Sequence, residues 1–361
     1  MKKCIVDTAV IRRNAEILKS LAGGSEIWAV VKGDGYGLGL EAMAGLLYDC
    51  GIRRFAVSEP SEAERLRALR VGDIKILFLQ TVSDVREAEK LLKLGVIFTV
   101  GTKKDAGRLI SAAERLGLKA EAHIKLDTGM GRCGFLPSQL SELLPLYTAS
   151  EALRISGLYT HFSKPQSCRA TKAQFKSFMR TAERIKRAGF DPGLLHCAGS
   201  EAFLRYPEMR CGAVRLGSAF LGRVSVGGCR LKNAVRCLGS ISELRILPRG
   251  HGVGYGSAWR APRDTRVALC SIGYYNGFGL ERSCGAIQLP LMLRRLLSAL
   301  FSLGKHKTLY VEVRGQRCPV LGRVGMMSCV IDVSGCGCAE GDEASADINP
   351  LMLRGFDIVF K

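Results

Sequence analysis

The stretch Ala29-Val30-Val31-Lys32-Gly33-Asp34-Gly35-Tyr36-Gly37 joins an apolar, β-branched run to a lysine and a glycine-rich turn. The run predicts the end of a buried strand that begins at Glu26. Its glycines do not form Gly-x-Gly-x-x-Gly, the phosphate-binding turn that follows the first strand of a dinucleotide-binding open sheet. The stretch therefore favours another kind of parallel sheet, with a lysine at the carboxyl end of its first strand.

Strand candidates recur along the first two thirds of the chain, with segments of helical periodicity between them. The eight candidates are Glu26 to Val31, Phe55 to Val57, Ile74 to Leu79, Val96 to Val100, Ala120 to Leu126, Ile155 to Tyr159, Leu194 to Cys197 and Ala213 to Arg215. Helix candidates include Ser61 to Leu69, with Ser61 and Glu64 as its start signal, Asp84 to Leu94 and Thr171 to Ala188. This alternation predicts an α/β fold with a parallel (β/α)8 TIM-type barrel, and a doubly wound open sheet is the main alternative.

The pattern changes near Ala234, where glycine, proline and alternating apolar residues predict a second, smaller and mostly β domain. Its strand candidates are Val235 to Leu247, Thr265 to Ile272, Thr308 to Val313 and Val320 to Val333. We expect the barrel at 1–234 and the β domain at 235–361. The leucine-rich segment Pro290 to Leu303 predicts an amphipathic helix inserted in the β domain, expected to pack on that domain's own surface.

Composition bounds the function as much as the fold. Apolar residues make up 47% of the chain, so it can bury a core, and 53 Lys and Arg against 33 Asp and Glu give a net charge of +20. That excess favours polyanions or anionic ligands. No pair among the 14 cysteines is spaced Cys-x-x-Cys, which predicts reduced thiols in a cytoplasmic protein and no metal site. We expect no signal peptide and no membrane span.

Polar residues at the predicted strand ends suggest the chemistry, because barrels carry their sites at the carboxyl ends of the strands. These residues are Lys32, Lys125, Arg132, His161, His196 and Arg215. A desolvated lysine is a nucleophile, and the Gly/Ser turns at Ser200 and at Gly217-Ser218 could bind phosphate. Together with an arginine beside the ring of a cofactor, they indicate pyridoxal 5'-phosphate held by Lys32 as a Schiff base.

The chain resembles the alanine racemase family, pyridoxal-phosphate barrels with a C-terminal β domain. The motifs that carry the resemblance are 29–37, Leu126-Asp127-Thr128-Gly129-Met130-Gly131-Arg132-Cys133-Gly134-Phe135, Val214-Arg215-Leu216-Gly217, Gly254-Tyr255-Gly256-Ser257, Gly273-Tyr274-Tyr275-Asn276-Gly277 and Gly322-Arg323-Val324-Gly325-Met326. The resemblance implies an amino-acid racemase that interconverts L- and D-alanine with two bases. It also implies a homodimer with shared active sites.

The resemblance also implies a role for each site residue. Lys32 and Tyr255 would be the two catalytic bases, with Tyr255 reaching the cofactor of a partner subunit. Cofactor contacts would come from Tyr36, His161, His196, Ser200, Arg215, Gly217 and Ser218. Substrate contacts would come from Arg132, Met326 and Tyr274. Lys125, which in this family can be carbamylated, would orient Arg132, and the alternative is a plain structural ion pair.

The chain departs from the family pattern at several positions expected near the substrate entrance. These are Leu38, Gly131, Gly199, Asn276 and Met327, together with a C-terminus that lacks the usual Arg-x-Tyr. We expect alanine as first substrate and serine as second. The alternatives are a racemase of serine or another amino acid, a catalytically degenerate cofactor binder, and a decarboxylase of basic amino acids. A nucleic-acid-binding protein is disfavoured because no such module occurs in the sequence and only 7% of residues are aromatic.

Overall fold

The computed structural model describes residues 2–69, 71–224, 226–228, 230–280 and 308–361. It divides the chain into two compact units, Thr8–Ala234, and Met1–Asp7 together with Val235–Lys361. The first strand, β1 (Lys3–Val6), pairs only with strands of the second unit among the described residues. The expectation that the barrel begins at residue 1 is therefore wrong, since this short strand completes the β sheet instead.

Eight parallel strands close into a barrel in the unit Thr8–Ala234. They are β2 (Glu26–Val30), β3 (Arg54–Val57), β4 (Lys75–Phe78), β5 (Ile97–Val100), β6 (Ala120–Lys125), β7 (Leu153–Tyr159), β8 (Leu194–Gly199) and β9 (Ala213–Leu216). Strand β2 pairs with both β3 and β9, and this pairing closes the sheet. The barrel prediction is confirmed, and closure rules out the open-sheet alternative.

Helices separate most of the barrel strands and cover them. They are α1 (Thr8–Ala22), α2 (Lys32–Gly37), α3 (Leu40–Asp49), α4 (Pro60–Ala68), α5 (Val85–Lys93), α6 (Lys103–Leu116), α7 (Leu140–Leu143), α8 (Cys168–Arg187) and α9 (Ser200–Arg205). The start signal assigned to α4 was wrong by two residues. Glu59 and Glu62 form its capping box, because Pro60 suits the first helical position, where no N–H is needed.

In the described part of the second unit, the strands form one eight-stranded sheet and one two-stranded sheet. Its strands beyond β1 are β10 (Val235–Leu247), β11 (Gly252–Val253), β12 (Trp259–Arg260), β13 (Thr265–Cys270), β14 (Tyr310–Val313), β15 (Gln316–Leu321), β16 (Cys329–Asp332), β17 (Glu343–Ala346) and β18 (Asp357–Phe360). The sheet order is β13-β16-β15-β14-β17-β10-β1-β18, and β11 pairs with β12 separately. Pairing in the large sheet is antiparallel except between β1 and β18, so the mostly β prediction is confirmed.

Two predicted segments of this unit, one strand and one helix, do not match a described element. The single segment predicted from Val320 to Val333 is wrong, since the chain turns between β15 and β16 and pairs them antiparallel. The predicted helix from Pro290 to Leu303 lies outside the described residues. Among the helices that are described, none combines the length and apolar character needed to cross a membrane.

Candidate active site

Lys32 follows β2 and begins a left-handed turn. Gly33, Asp34, Gly35 and Tyr36 have φ values between 53° and 66°. Glycine adopts this conformation freely, whereas Asp34 and Tyr36 keep it only where neighbouring groups hold the backbone. The turn bends the chain sharply at the strand end, which fixes the position of Lys32.

A buried glutamate on α4 helps to stabilise the backbone of this left-handed turn. Glu62 is 4% exposed, and its Oε1 accepts the backbone N–H of Asp34 at 3.0 Å. Its Oε2 accepts the N–H groups of Ser58 and Glu59. One carboxylate therefore ties the lysine turn to the segment that follows β3.

A cavity of about 610 Å³ opens at the carboxyl ends of the barrel strands. It brings together Lys32, Tyr36, Lys125, Arg132, His161, Ser200, Arg215, Gly217 and Ser218. All of these were predicted from the sequence. His196 is fully buried behind the lining residues.

The electrostatics of the cavity favour a free amine on Lys32. Burial lowers the pKa of Lys32, and the positive charges of Arg132, Lys125 and Arg215 lower it further. Glu62 acts in the opposite direction. A neutral amine is the form that attacks a carbonyl carbon, so the lowered pKa is compatible with the nucleophile predicted from the sequence.

Arg215 anchors a buried chain of polar groups below the cavity. Its Nη1 lies 2.7 Å from His196 Nδ1, and its Nη2 donates to the carbonyl oxygen of Thr160 at 2.6 Å. His196 Nε2 lies 2.9 Å from His123 Nδ1. Arginine only donates, so His196 Nδ1 must accept, which leaves the proton on Nε2 to be donated to His123.

The pKa values of these histidines agree with neutral rings. Burial, and then the charge of Arg215, holds the pKa of His196 well below its ordinary value. Burial lowers the pKa of His123 to about 4. His161, whose Nδ1 lies 3.3 Å from Arg215 Nη2, has its pKa lowered to about 3 by burial and then by Arg215. Burial lowers the pKa of Arg215 as well, but an arginine stays protonated in proteins, so its charged guanidinium lies beside neutral acceptors.

The turns after β8 and β9 form a small polar cradle. Ser200 Oγ accepts the backbone N–H groups of Gly217 at 3.1 Å and Ala219 at 3.3 Å. A Cβ at Gly217 would overlap the hydroxyl end of Tyr36, so only glycine leaves room for that side chain. Burial raises the pKa of Tyr36, which keeps its hydroxyl protonated as a donor. These groups fit a phosphate.

The loop that carries Arg132 is organised by one carboxylate. Asp127 accepts the backbone N–H groups of Gly129, Met130, Gly131 and Arg132. Burial alone would raise the pKa of Asp127, but these four bonds outweigh it and lower the pKa. The loop thus presents the Arg132 guanidinium at the cavity wall. There, Lys125 Nζ donates to Cys133 Sγ at 2.9 Å.

The other predicted site residues belong to the second unit and are exposed on it. Tyr255 is 79% exposed at the start of a short 3-10 turn. Tyr274 and Met326 are 45% and 55% exposed, and they lie on adjoining loops, since the Tyr275 N–H donates to the Met326 carbonyl oxygen. All three side chains are therefore accessible on the β unit, and two of them lie on adjoining loops.

Two residues expected near the substrate entrance, Asn276 and Leu38, are buried, so that expectation is wrong for both. Asn276, expected as a neutral residue at the entrance, is 1% exposed. Its Oδ1 accepts from Lys2 Nζ at 2.8 Å and its Nδ2 donates to the Arg354 carbonyl oxygen. A side chain so enclosed is structural. Met327, by contrast, is half exposed, and Leu38 is buried.

Sequence reasoning missed three residues of the site: Glu62, His123 and Cys133. Glu62 could have been found from the capping box with Glu59, had Pro60 been read as the first helical residue. His123 lies two residues before Lys125 in β6, so the period of a strand puts both side chains on the same face, toward the barrel interior. Cys133 carried no signal, because its role depends on the path of the loop. The described residues contain no group of three or more His, Cys, Asp or Glu side chains that could hold a metal ion.

Comparison with known proteins agrees with this geometry. The profile described as "Alanine racemase, N-terminal domain" matches residues 6–224, and "Alanine racemase, C-terminal domain" matches residues 234–347. The alanine racemase of Desulforamulus reducens is 33% identical over 339 residues, covering 91% of this chain and 84% of that protein.

Solved structures share the fold over nearly the whole chain. The alanine racemase of Streptomyces coelicolor is 26% identical with a TM-score of 0.81, covering 96% of this chain and 88% of that one. The alanine racemase of Bacillus anthracis with bound L-Ala-P is 25% identical with a TM-score of 0.79, covering 100% and 95%. With both domain profiles matched in order, and with a relative of this identity, the chain belongs to the alanine racemase family.

Proposed function

We propose that this protein is a pyridoxal-phosphate-dependent alanine racemase that interconverts L- and D-alanine. The observation that carries the proposal is the meeting, in one cavity, of the Lys32 amine, the Ser200–Gly217 cradle and the guanidinium of Arg215. Family membership supports the same activity.

The residues of the cavity fit the cofactor. Lys32 would bond its carbonyl carbon, and Tyr36, Ser200, Gly217 and Ser218 would hold its phosphate. Arg215 would face its ring nitrogen and, because an arginine remains charged, would leave that nitrogen unprotonated. His161 and His196 would support the ring and Arg215. When bound, the cofactor withdraws electrons from the substrate α-carbon and so weakens its C–H bond.

Racemisation requires a proton to leave one face of the α-carbon and a proton to return to the other. Lys32 Nζ, once released from the cofactor carbon by the substrate amine, would exchange a proton on one face. The hydroxyl of Tyr255 of the partner subunit would exchange it on the other, in a homodimer with shared active sites. The 79% exposure of the Tyr255 side chain supports a role toward another chain.

Substrate recognition would rest on the carboxylate that every amino acid carries. Arg132 would bind it, with Lys125 orienting the guanidinium, and Met326 and Tyr274 would contact the remainder. Alanine is the first candidate substrate and serine the second.

The same proposal includes a reducing, cytoplasmic location. No pair among the 14 cysteines of the sequence is spaced Cys-x-x-Cys, which favours reduced thiols over a metal or redox motif. Cysteines stay reduced where glutathione and thioredoxin keep thiols reduced.

Cofactor attachment provides the test. Purified protein loaded with pyridoxal phosphate is reduced with borohydride and digested, and the labelled peptide is identified by mass spectrometry. We expect the label on Lys32 and its loss in Lys32→Arg. A label on another lysine, or none, would contradict the proposal. A label on Lys32 without turnover of any amino acid would favour the degenerate cofactor binder.

A further inference from the structure

Two residues of the cofactor site lie on one short turn. Lys32 and Tyr36 both line the cavity, and the backbone from Gly33 to Tyr36 is left-handed. Asp34 lies midway between them with a φ of 53°, a conformation that a residue other than glycine keeps only with support. The spacing of Lys32 and Tyr36 in the cavity therefore depends on the groups that fix the backbone at Asp34.

Glu62 fixes this backbone from a different part of the barrel. A glutamate at the third position of a helix ordinarily completes a capping box, and Glu62 does so with Oε2, which accepts the Glu59 N–H at 3.1 Å. Its Oε1 reaches beyond α4 and accepts the Asp34 N–H at 3.0 Å. The capping box does not need this second contact, which serves the lysine turn instead.

The side-chain contacts of Asp34 are weaker supports. Its Oδ1 accepts the Leu40 N–H at 3.1 Å and lies 2.7 Å from Arg65 Nη2, but the Asp34 and Arg65 side chains are 55% and 41% exposed. An ion pair so exposed contributes little, because water competes for both groups. Glu62 is 4% exposed, so its hydrogen bond to Asp34 has less competition from water.

The carboxylate of Glu62 also acts on Lys32 through its charge. Its hydrogen-bond donors are backbone N–H groups, which carry no net charge. Burial lowers the pKa of Lys32 most, and three cations lower it further: Arg132, Lys125 and Arg215. Glu62 raises the pKa of Lys32 and so opposes all of them.

We propose that Glu62 is a positioning residue of the cofactor site, whose one carboxylate fixes the turn that carries Lys32 and Tyr36 and supplies a negative charge near the Lys32 amine. The inference rests on the proposed function, in which Lys32 and Tyr36 hold the cofactor. Glu62 does not line the cavity. It acts through the Asp34 backbone and through its charge.

Trace acetylation tests the charge without cofactor or turnover. The apoprotein is treated with a trace of acetic anhydride at a series of pH values, and acetylation of the Lys32 peptide is measured by mass spectrometry. Only the neutral amine reacts, so the midpoint gives the pKa of Lys32. We expect a lower midpoint in Glu62→Gln than in wild type. A merely loosened turn would raise the midpoint, because greater exposure would relieve the effect of burial.

Glu62→Asp separates the charge from the reach of the side chain. Aspartate keeps the charge but is one methylene shorter, so the bond to the Asp34 N–H should be lost. The Lys32 midpoint should stay closer to wild type than in Glu62→Gln. The dissociation constant for pyridoxal phosphate, measured by titration of the apoprotein, should rise about tenfold, the effect of one lost hydrogen bond to a charged group. Glu64→Gln, exposed on the same helix, is the matched control and should change neither quantity.

The contrary results are distinct. A Lys32 midpoint that stays fixed or rises in Glu62→Gln overturns the inference, as does an unchanged affinity for pyridoxal phosphate in Glu62→Asp. Absence of cofactor attachment to Lys32 in wild type contradicts the proposed function instead, and the acetylation comparison still reports whether Glu62 acts on the amine. If Glu62→Gln does not fold, the affinity of Glu62→Asp decides alone.

Discussion

At the scale of single residues, the charges around Lys32 determine when its amine is free. Burial contributes most to its lowered pKa, and Arg132 contributes next. Removing the Arg132 charge in Arg132→Gln should raise the pKa of Lys32. The rate at which added pyridoxal phosphate attaches to the apoprotein depends on the neutral amine, so its pH midpoint should move upward.

Stopped-flow absorbance at a series of pH values measures this midpoint. Arg115→Gln, on the outer face of α6, is the control for loss of one positive charge and should leave the midpoint in place. A midpoint that stays fixed in Arg132→Gln would show that Arg132 does not act on the Lys32 amine.

Gly217 is a second position where one added atom, a Cβ, should change cofactor binding. The Cβ of Gly217→Ala would displace the Tyr36 hydroxyl from the cradle. Loss of one hydrogen bond to a charged phosphate should weaken binding of pyridoxal phosphate about tenfold, measured by titration of the apoprotein. Gly107→Ala on α6 has open space at its Cβ and serves as the matched control. Equal affinities of the two variants for pyridoxal phosphate would show that the Tyr36 hydroxyl does not bind the phosphate.

At the scale of elements, the Asp127 loop is held by a carboxylate whose pKa is lowered by its four backbone donors, against the effect of burial. Asp127→Ala should lower the free energy of unfolding by about 2 kcal/mol at neutral pH. The lowered pKa means that this contribution is complete above the usual carboxylate pKa of about 4 and is lost as pH falls through the lower folded value.

Denaturant unfolding of wild type and variant at several pH values measures the difference. The difference in unfolding free energy between wild type and Asp127→Ala should become smaller at pH values below the usual carboxylate pKa. Asp73→Ala, at an exposed position, is the comparison variant and should lower the free energy of unfolding much less than Asp127→Ala does. If this difference in unfolding free energy stays constant down to acid pH, the charge of the Asp127 carboxylate does not stabilise the loop.

At the scale of the whole molecule, the proposed homodimer with shared active sites predicts complementation between two inactive variants. A dimer of Lys32→Ala with Tyr255→Ala contains one site with both bases and one with neither. Random reassociation of equal amounts should therefore restore about a quarter of wild-type activity. Racemase assays before and after dissociation and mixing measure this recovery. Recovery no greater than that of either variant alone would argue against Tyr255 acting across the dimer.

The architecture was predictable because periodicity and strand-end residues are local signals. Most barrel strands contain a short apolar run, and the polar residues at the ends of β2, β6, β7, β8 and β9 mark the cavity. The short strand Lys3–Val6 was assigned to the wrong unit because its pairing with β10 and β18 joins residues more than two hundred positions apart.

The finer parts of the site were not predictable for the same physical reason. Cys133 meets Lys125 only because Gly134 lets the chain return against β6. Asn276 was expected at an entrance, yet contacts with Lys2 and Arg354 bury it. The +20 charge is only partly used in the cavity, by Lys32, Lys125, Arg132 and Arg215.

Conversion of L-alanine to D-alanine by the cofactor-loaded protein tests the central claim most directly. Enantiomers have equal free energies, so a racemase must bring L-alanine to an equal mixture of both forms, and must do the same from D-alanine. We predict that wild type reaches this mixture from either side and that Lys32→Ala converts neither enantiomer. If pyridoxal phosphate is bound at Lys32 and the optical purity of alanine stays unchanged, the protein is not an alanine racemase.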